Sequence, residues 1–458
     1  MKVEKHSIDF IPENERHGSP KSLFTIWFGI NMQLVPVVTG ALAIILGLNL
    51  FWSIVAIVAG NLIGAIFMAY HSAQGPQLGI PQMIQSRAQF GVIGAILPLI
   101  LVLIMYIGFG STGAILYSHS LTNIIPMPST AAIVIFNIIT FVIAVYGYDL
   151  IHSINRYLSI IFAVVFLVLT FLALKMPMSA EAWSIGHFNA PIFFLILSIM
   201  VTWQITYAPY VADYSRYLPV NTPTRQTFFY TYAGTVISSS WMMILGAIMA
   251  TLFSDFEGNP TRGLTELVGS NFSIIINLLI ILGGIAAAPV GIYGGFMSLI
   301  ATLEPITKLR GTPKTRFWLM FLVTAVCTVI PIMAQDNFMH FFSNFLLLLM
   351  YFMVPWTSIN LVDFYFLRKS NYNVKAIFDI NGEYGRVNWI AIIAYIIGGL
   401  VEVPFVSSPL YEGSISKYLG GTDLAWIVGL IVSAAVYYYP MRRTLHGSQK
   451  NIHHNLDL

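Results

Sequence analysis

The sequence predicts an all-helical polytopic membrane protein with twelve transmembrane helices. Hydrophobic residues make up 57% of its 458 positions and charged residues only 9%, whereas a soluble domain carries about 25% charge. Long apolar segments follow one another from Phe24 to Pro440, and the mean hydropathy is +0.78. The basic residues collect in alternate loops. These features exclude an ordinary soluble domain.

A membrane-spanning helix needs about 20 mostly apolar residues, which sets the expected bounds of each span. The predicted spans are residues 24–48, 51–71, 92–118, 130–147, 156–174, 190–210, 228–253, 272–301, 317–334, 338–366, 389–406 and 424–440. Nineteen lysines and arginines then fall on the side of the two termini, and only Lys175, Arg262 and Lys417 fall on the other. This excess assigns both termini to the cytoplasmic side of the plasma membrane, and an odd number of spans would abolish it.

Two spans are interrupted by polar and helix-breaking residues. The first contains Gly29, Asn31, Gln33, Pro36, Thr39 and Gly40. The sixth runs into WQITYAPYVADYSRYLP (Trp203 to Pro219), which contains Gln204, Thr206, Tyr207 and Pro209. Polar groups at bilayer depth are costly unless they face protein or a water-filled cavity. The first and sixth of ten spans are equivalent in a five-plus-five inverted repeat, so we expect a small-molecule site at these breaks; simple kinks are the alternative.

The expected organisation follows from these spans. Ten of them form a transport core at residues 24–367, with inverted repeats at about 24–175 and 190–367. A cytoplasmic loop at 368–388 separates this core from two peripheral transmembrane helices at 389–440. Cytoplasmic tails are expected at 1–23 and 441–458.

The third and eighth spans are rich in glycine. Tyr106 and Phe109 stand beside glycines in the third span, where they either form the wall of a flat pocket or pack against another helix. In the eighth span, Gly283–Ser298 permits an unwound or a tightly packed helix. A sodium site in a broken-helix transporter needs several oxygen ligands, and hydroxyls are scarce in this segment. The sequence therefore favours a proton as the coupling cation.

Few acidic residues lie within or at the ends of spans. Asp213 and Arg216 are expected to serve coupling or gating; the alternative is that Asp213 caps a helix or pairs with Arg216. The sequence contains no paired-carboxylate motif inside the membrane, no His/Cys ligand cluster, no nucleophile elbow and no P-loop. We therefore expect neither an enzyme nor an ATP-driven pump, and no metal or other cofactor. The net charge of +3 gives no indication of nucleic-acid binding.

Four groups of residues together form a recognisable pattern. They are Ile11, Pro12, Glu13, Glu15, Arg16 and Gly18 before the first span; Trp27, Gly29, Asn31 and Met32 within it; Gly75, Gly79, Ile80, Pro81, Arg87, Phe90 and Gly91 after the second; and APYVADYSRYLP at 208–219. This pattern resembles the nucleobase:cation symporter family, the purine–cytosine permeases, and is most similar to the cytosine/purine branch. The resemblance extends over nearly the whole chain.

The resemblance implies the leucine-transporter fold and cation-coupled import of nucleobases or related heterocycles. A flat ring is expected to stack between aromatic side chains of the third and sixth spans, while amides and backbone groups bond its edges. Tyr106 stands where the family has tryptophan and Gly110 where it has an amide, and Trp203 or Tyr207 supplies the second stacking face. The expected substrate-binding residues are Gly29, Asn31, Gln33, Tyr106, Phe109, Gly110, Trp203, Gln204, Tyr207 and Ala287.

The sequence thus favours a proton-coupled importer of cytosine or a purine that works by alternating access in the lipid bilayer. An importer of another planar heterocycle, such as a pyrimidine vitamin precursor, allantoin or a hydantoin, is an alternative of the same class. A membrane sensor without transport activity is an alternative of a different class, because polar pocket residues are missing from the third and eighth spans.

Overall fold

The computed structural model describes residues 9–146, 148–307, 309 and 312–456, without the side chains of 148–157 and 447–456. Within these residues the chain is built from helices, and the one paired backbone segment outside them is an isolated bridge between Ser407 and Glu412. The predicted terminal tails and residue 147 lie partly or wholly outside the described residues. The all-helical prediction is confirmed.

The helices fall into two sets of five spans followed by two more. The first set is α1 (Lys21–Ile30), α2 (Leu34–Ile45), α3 (Leu50–Ser72), α4 (Gly75–Leu78), α5 (Gln82–Phe90), α6 (Ile96–Ile124), α7 (Ser129–Tyr146) and α8 (Tyr148–Leu174). The second set is α9 (Ala190–Ile205), α10 (Ala208–Ser215), α11 (Thr224–Leu252), α12 (Pro260–Glu266), α13 (Ser270–Thr307), α14 (Pro313–Ala334) and α15 (Phe338–Leu361), which continues as a π-helix at Val362–Leu367. The last helices are α16 (Trp389–Glu402), α17 (Ser414–Tyr418) and α18 (Ala425–Leu456).

By length and composition, the described residues contain seven continuous helical segments apolar enough to cross a membrane, or eight with the bent pair α1–α2. One of the seven, Pro313–Leu367, comprises both α14 and α15. The shorter apolar helices Leu158–Leu174 and Trp389–Phe405, together with α18, occupy the other predicted positions. Each of the twelve predicted spans therefore corresponds to a helical segment.

The two sets pack against each other in a reciprocal way. The broken first span packs along α11, the seventh span, and α3, the second span, packs along α9, the sixth. In a five-plus-five repeat, span one is equivalent to span six and span two to span seven, so the contact between spans one and seven corresponds to the contact between spans six and two. Glycines permit the close approach: a Cβ atom at Gly64 of α3 would lie 2.6 Å from the carbonyl oxygen of Val201.

Apolar side chains also cover the outside of the molecule. Ile138 of α7 and Ile160, Leu167 and Phe171 of α8 are between 58% and 62% exposed. Such a surface is unfavourable in water but suits the hydrocarbon of a bilayer, where backbone polar groups are satisfied within each helix. The exposed faces of these helices are therefore the lipid-facing side of the fold.

The structure adds two details to the predicted spans. The segment after the second span, to which the sequence assigns no helix, forms α4 and α5, and every residue of α5 is buried. Of the two alternatives for the eighth span, unwound or tightly packed, α13 is the second, a continuous helix through Pro289. Its glycines pack against aromatic rings: Gly284 lies against Tyr117 and Gly294 against Tyr106.

Candidate substrate-binding site

The first span breaks between α1 and α2, whose axes differ by 64°. Asn31 ends α1 and is fully buried, and Gln33 begins α2 with an extended backbone (φ −152°, ψ 174°). The backbone N–H of Gln33 donates to the carbonyl of Asn31 at 2.8 Å, so the chain turns sharply here. The polar sequence of this span therefore produces a real break rather than a gentle kink.

The sixth span is interrupted at Thr206 and Tyr207, between α9 and α10, but continues in nearly the same direction. The Thr206 hydroxyl donates a hydrogen bond to the carbonyl of Trp203 at 2.7 Å. Pro209 lies in the first turn of α10, where its missing N–H costs no helical hydrogen bond. The interruption places Tyr207 at the same depth as the break in the first span.

The Asn31 side chain joins the two breaks. Its Oδ1 accepts hydrogen bonds from Tyr207 Oη at 2.8 Å and from Trp203 Nε1 at 3.2 Å. Its Nδ2 donates to the carbonyl of Trp27 and to Ser238 Oγ, both at 3.0 Å. With donors and acceptor engaged, this amide fixes the orientation of the two aromatic side chains that the sequence proposes as stacking partners.

The aromatic side chains around this amide form a continuous group, which we call the aromatic cluster: Trp27, Tyr106, Phe109, Trp203, Tyr207, Tyr210 and Phe345. Trp27, Trp203 and Tyr207 are buried at its back, whereas the other four rings are half-buried. The cluster draws on the first, third, sixth and tenth spans. Aromatic side chains of this kind commonly line the sites that hold a flat ring.

The third and sixth spans touch directly within the cluster. Phe109 meets Trp203 edge to face, with ring centroids 5.7 Å apart, and Tyr106 lies 5.8 Å from Tyr210 at a tilt of 32°. Phe109 also meets Phe345 of α15 at 5.3 Å. A planar substrate can therefore lie between Phe109 and Trp203 only after these rings separate.

Three further predicted residues are half-buried: Gln33, Ala287 and Gly29. Gln33 is half-buried; its Nε2 donates to the carbonyl of Ile30 at 3.0 Å, and Tyr117 Oη donates to its Oε1 at 3.5 Å. Ala287 is half-buried on the continuous helix α13. Gly29 is half-buried and faces α8, because a Cβ there would lie 3.1 Å from Ser159 Oγ.

Two predicted residues have other neighbours. A Cβ at Gly110 would lie 2.9 Å from Cys327 Sγ, so this position faces α14 rather than the aromatic cluster. Gln204 is fully buried and linked to other spans: its Nε2 donates to Asn61 Oδ1 at 2.6 Å and to Ser239 Oγ at 2.7 Å, and its Oε1 accepts from Thr235 at 2.8 Å. Both N–H groups of this amide are already used within the protein. Gln204 here joins the second, sixth and seventh spans.

Asp213 and Arg216 lie at the far end of α10. Asp213 Oδ1 accepts from the backbone N–H of Gln82 at 2.8 Å and so caps the N-terminus of α5 from another part of the chain. Arg216 is buried, and its guanidinium donates to the carbonyl of Asp9 at 3.3 Å and lies 5.2 Å from the ring of Tyr217. These contacts connect the broken sixth span to the loops on the predicted cytoplasmic side.

Three residues of the aromatic cluster are not among the substrate-binding residues predicted from the sequence: Trp27, Tyr210 and Phe345. Trp27 precedes Asn31 by four residues and Tyr210 follows Tyr207 by three, which are the spacings that place side chains on one helix face. That signal was present for both. Phe345 has no such signal, because it reaches the cluster from the tenth span. Within the described residues, no group of three or more His, Cys, Asp or Glu side chains is placed to hold a metal ion.

Comparisons with known proteins agree with this architecture. A family model described as a permease for cytosine/purines, uracil, thiamine and allantoin matches residues 10–429. The chain is 50% identical to the putative purine-cytosine permease YxlA of Bacillus subtilis, over 97% of each protein. It is 27% identical to the purine-cytosine permease FCY21 of Saccharomyces cerevisiae, over 95% of this chain and 86% of the yeast protein.

Among solved structures, the fold is similar to that of Mhp1, a nucleobase-cation-symport-1 family transporter in a closed conformation with bromovinylhydantoin bound. The TM-score is 0.76 at 21% identity, and the match covers 96% of this chain and 95% of the other. The relatives are permeases rather than enzymes. Because the family model covers most of the sequence, the chain belongs to the family of permeases for cytosine/purines, uracil, thiamine and allantoin.

Proposed function

We propose that this permease is a secondary active importer of a nucleobase such as cytosine or a purine, coupled to protons and working by alternating access. The observation that carries the proposal is the Asn31 amide, which ties the break of the first span to Trp203 and Tyr207 of the sixth. It fixes two aromatic faces beside the break of the first span, where the Gln33 side chain is half-buried. A nucleobase has the matching chemistry, a flat ring with polar edges.

The proposal of proton coupling is supported by the composition of α13. From Gly283 to Met297 the side-chain hydroxyls are limited to Tyr293. A sodium ion would need several oxygen ligands in its place. We also propose, from the distribution of lysine and arginine, that the protein lies in the plasma membrane with both termini in the cytoplasm.

A second candidate is import of another planar heterocycle, such as a hydantoin, allantoin or a pyrimidine vitamin precursor. Two observations favour it. Gly110 offers no amide to a substrate edge, and Gln204 is engaged by Asn61, Ser239 and Thr235. The site therefore departs from the expected pattern at two positions that would bind the edge of a nucleobase. The similar solved transporter has bromovinylhydantoin bound.

A competition panel distinguishes the candidates. Purified protein in vesicles would take up radiolabelled cytosine in the presence of unlabelled adenine, uracil, hydantoin or allantoin. Strong competition by nucleobases alone supports the first proposal, and strong competition by hydantoin or allantoin supports the second. Binding of a heterocycle without uptake, in protein whose fold is verified by its melting temperature, would contradict both and support a membrane sensor.

A further inference from the structure

A second polar group lies away from the aromatic cluster, where α3, α4, α5 and α15 meet. We call it the glutamine cluster: His71, Gln74, Gln82, Gln85 and Asn360, each at most 1% exposed. His71 Nδ1 lies 3.1 Å from Gln82 Nε2, which also donates to Gln74 Oε1 and Gln85 Oε1, each at 3.3 Å. Gln74 Nε2 donates to Asn360 Oδ1 at 2.9 Å. The cluster is closed off from solvent.

Three polar atoms of this cluster are buried without a hydrogen-bond partner. They are His71 Nε2, Gln82 Oε1 and Gln85 Nε2. A buried polar atom without a partner costs about 1–3 kcal/mol, so such atoms are rare in the absence of a reason. The two nitrogens can donate a hydrogen bond and the oxygen can accept one. Bound water or an added proton would supply the missing partners.

The geometry of His71 suits reversible protonation. Gln82 Nε2 carries only hydrogens, so Nδ1 of the neutral imidazole accepts and Nε2 bears the ring proton. When a proton binds the Nδ1 lone pair, a half-turn of the Gln82 amide presents its unpartnered Oε1 to the new N–H. The same side chain thus serves both protonation states, and the half-turn breaks only its two longer hydrogen bonds, to Gln74 Oε1 and Gln85 Oε1 at 3.3 Å.

An aromatic face is also in place for the cation. The ring of His71 stacks on Trp356 of α15, with centroids 4.9 Å apart and planes within 6°. The face of an indole attracts an imidazolium more than a neutral imidazole. Trp356 Nε1 donates to Ser86 Oγ of α5 at 3.0 Å, which holds the indole in this position.

Gln82 also connects the cluster to the transport helices. Its backbone N–H donates to Asp213 at the end of α10, and α10 begins next to Tyr207 in the aromatic cluster. Protonation of His71 would therefore act on α5, α10 and α15 together. The charged and titratable groups on the elements packed around His71 also include Tyr70, Arg87, Tyr214, Arg216, Arg225, Tyr230, Tyr232, Tyr351, Asp363 and Tyr365.

We propose that His71 is the group that binds and releases the coupled proton, with Gln82 as the amide that adapts to either protonation state. This inference rests on the proposed function, because it assigns a place to the proton of a proton symporter. The proton is taken up while the cluster is open to water and is carried while the cluster is closed.

The test uses the full-length protein and the variant His71→Gln in sodium-free vesicles with an imposed proton gradient. Glutamine keeps hydrogen-bonding groups but binds no proton in this pH range. We expect the variant to retain exchange of labelled for unlabelled substrate, and to lose both gradient-driven accumulation and the acidification of the vesicle interior that accompanies uptake. The control is His119→Gln, which changes a second histidine, near the C-terminal end of α6, and should leave all three readouts unchanged.

Gradient-driven accumulation and acidification by His71→Gln equal to those of the unmodified protein would overturn the inference. Sodium-driven, proton-independent uptake by the unmodified protein would overturn it as well, while leaving import intact. Absence of uptake by the unmodified protein would instead refute the proposed function. If His71→Gln does not fold, Gln82→Met tests the same step, and the expected result is a shift of the pH dependence of uptake. An unshifted pH dependence would count against the proposal.

Discussion

Tyr207 donates a hydrogen bond of 2.8 Å to Asn31, across the two places where the first and sixth spans break. The residues are 176 positions apart in the chain, and both are buried. In an inverted-repeat transporter these breaks are equivalent positions of the two repeats. The hydrogen bond therefore links the two repeats at the level where the aromatic cluster lies.

Replacing Asn31 by alanine should weaken substrate binding about tenfold or more. The change leaves the donors of Trp203 and Tyr207 without a buried acceptor, at a cost of about 1–3 kcal/mol each, and releases both rings. The half-saturating substrate concentration for exchange in vesicles measures the effect. Asn137→Ala is a matched control, because it removes another buried asparagine, which donates to the carbonyl of Cys327. Equal loss of affinity in both variants would contradict a specific role for Asn31.

Trp203→Ala and Tyr106→Ala should each weaken binding by about 1–3 kcal/mol if their rings stack on the substrate. The measurement is competition binding to purified protein. Trp241→Ala is the control, since this indole lies outside the aromatic cluster and donates to Thr170 at 3.0 Å. Unchanged affinity in both cluster variants would remove them from the site.

Asp213→Asn should impair transport more than binding. The carboxylate caps the N-terminus of α5, and an amide oxygen supports this cap less well. Initial uptake rate and substrate affinity, measured in parallel, separate the two effects. Asp255→Asn, at an exposed acidic residue, provides the control. An equal loss of folded protein and of uptake would indicate a structural role.

Asp423 predicts a pH effect on stability. It lies in the loop before α18, where burial raises its pKa above the ordinary value, although the Tyr351 hydroxyl and the backbone N–H groups of Ser407 and Ala425 donate to it. A raised pKa means that the unfolded state loses this proton first, so its contribution to stability is lost as the pH rises through the folded pKa. The melting temperature should therefore fall relative to that of Asp423→Asn as the pH increases. A difference that does not vary with pH would contradict this.

Gly246→Leu should destabilise the fold by at least about 1–3 kcal/mol, the usual cost of overpacking. Any Cβ at this position meets the backbone of Val37, where α11 crosses the broken first span. Gly399→Leu is the control, because a Cβ at Gly399 has no neighbour within 4 Å. Melting temperatures in the same detergent should separate the two variants clearly, and similar values would argue against tight packing of the repeats.

Much of the fold could be predicted because its signals are local. Apolar segments of the right length mark the spans, and the composition around Asn31 and Tyr207 marks the breaks. The helices α4 and α5 could not be assigned in this way. Both helices are short, and many of their residues are polar. These residues are buried because they pack against distant parts of the chain, such as Asp213.

The site was less predictable for the same reason. Gln204 looks from the sequence like a substrate ligand beside Trp203, yet its partners Asn61, Thr235 and Ser239 lie between 31 and 143 positions away. Which polar residues of a broken span face a substrate, and which join neighbouring helices, depends on those long-range contacts. Residue type alone does not determine it.

The most direct test is uptake of radiolabelled cytosine into cells that lack their own nucleobase carriers, with the proton gradient and sodium removed in turn. Proton-coupled import through this site predicts saturable uptake that collapses with the proton gradient, persists without sodium and is strongly reduced in Asn31→Ala. No saturable uptake of cytosine or of any competing planar heterocycle, with the protein present at the cell surface, would contradict it.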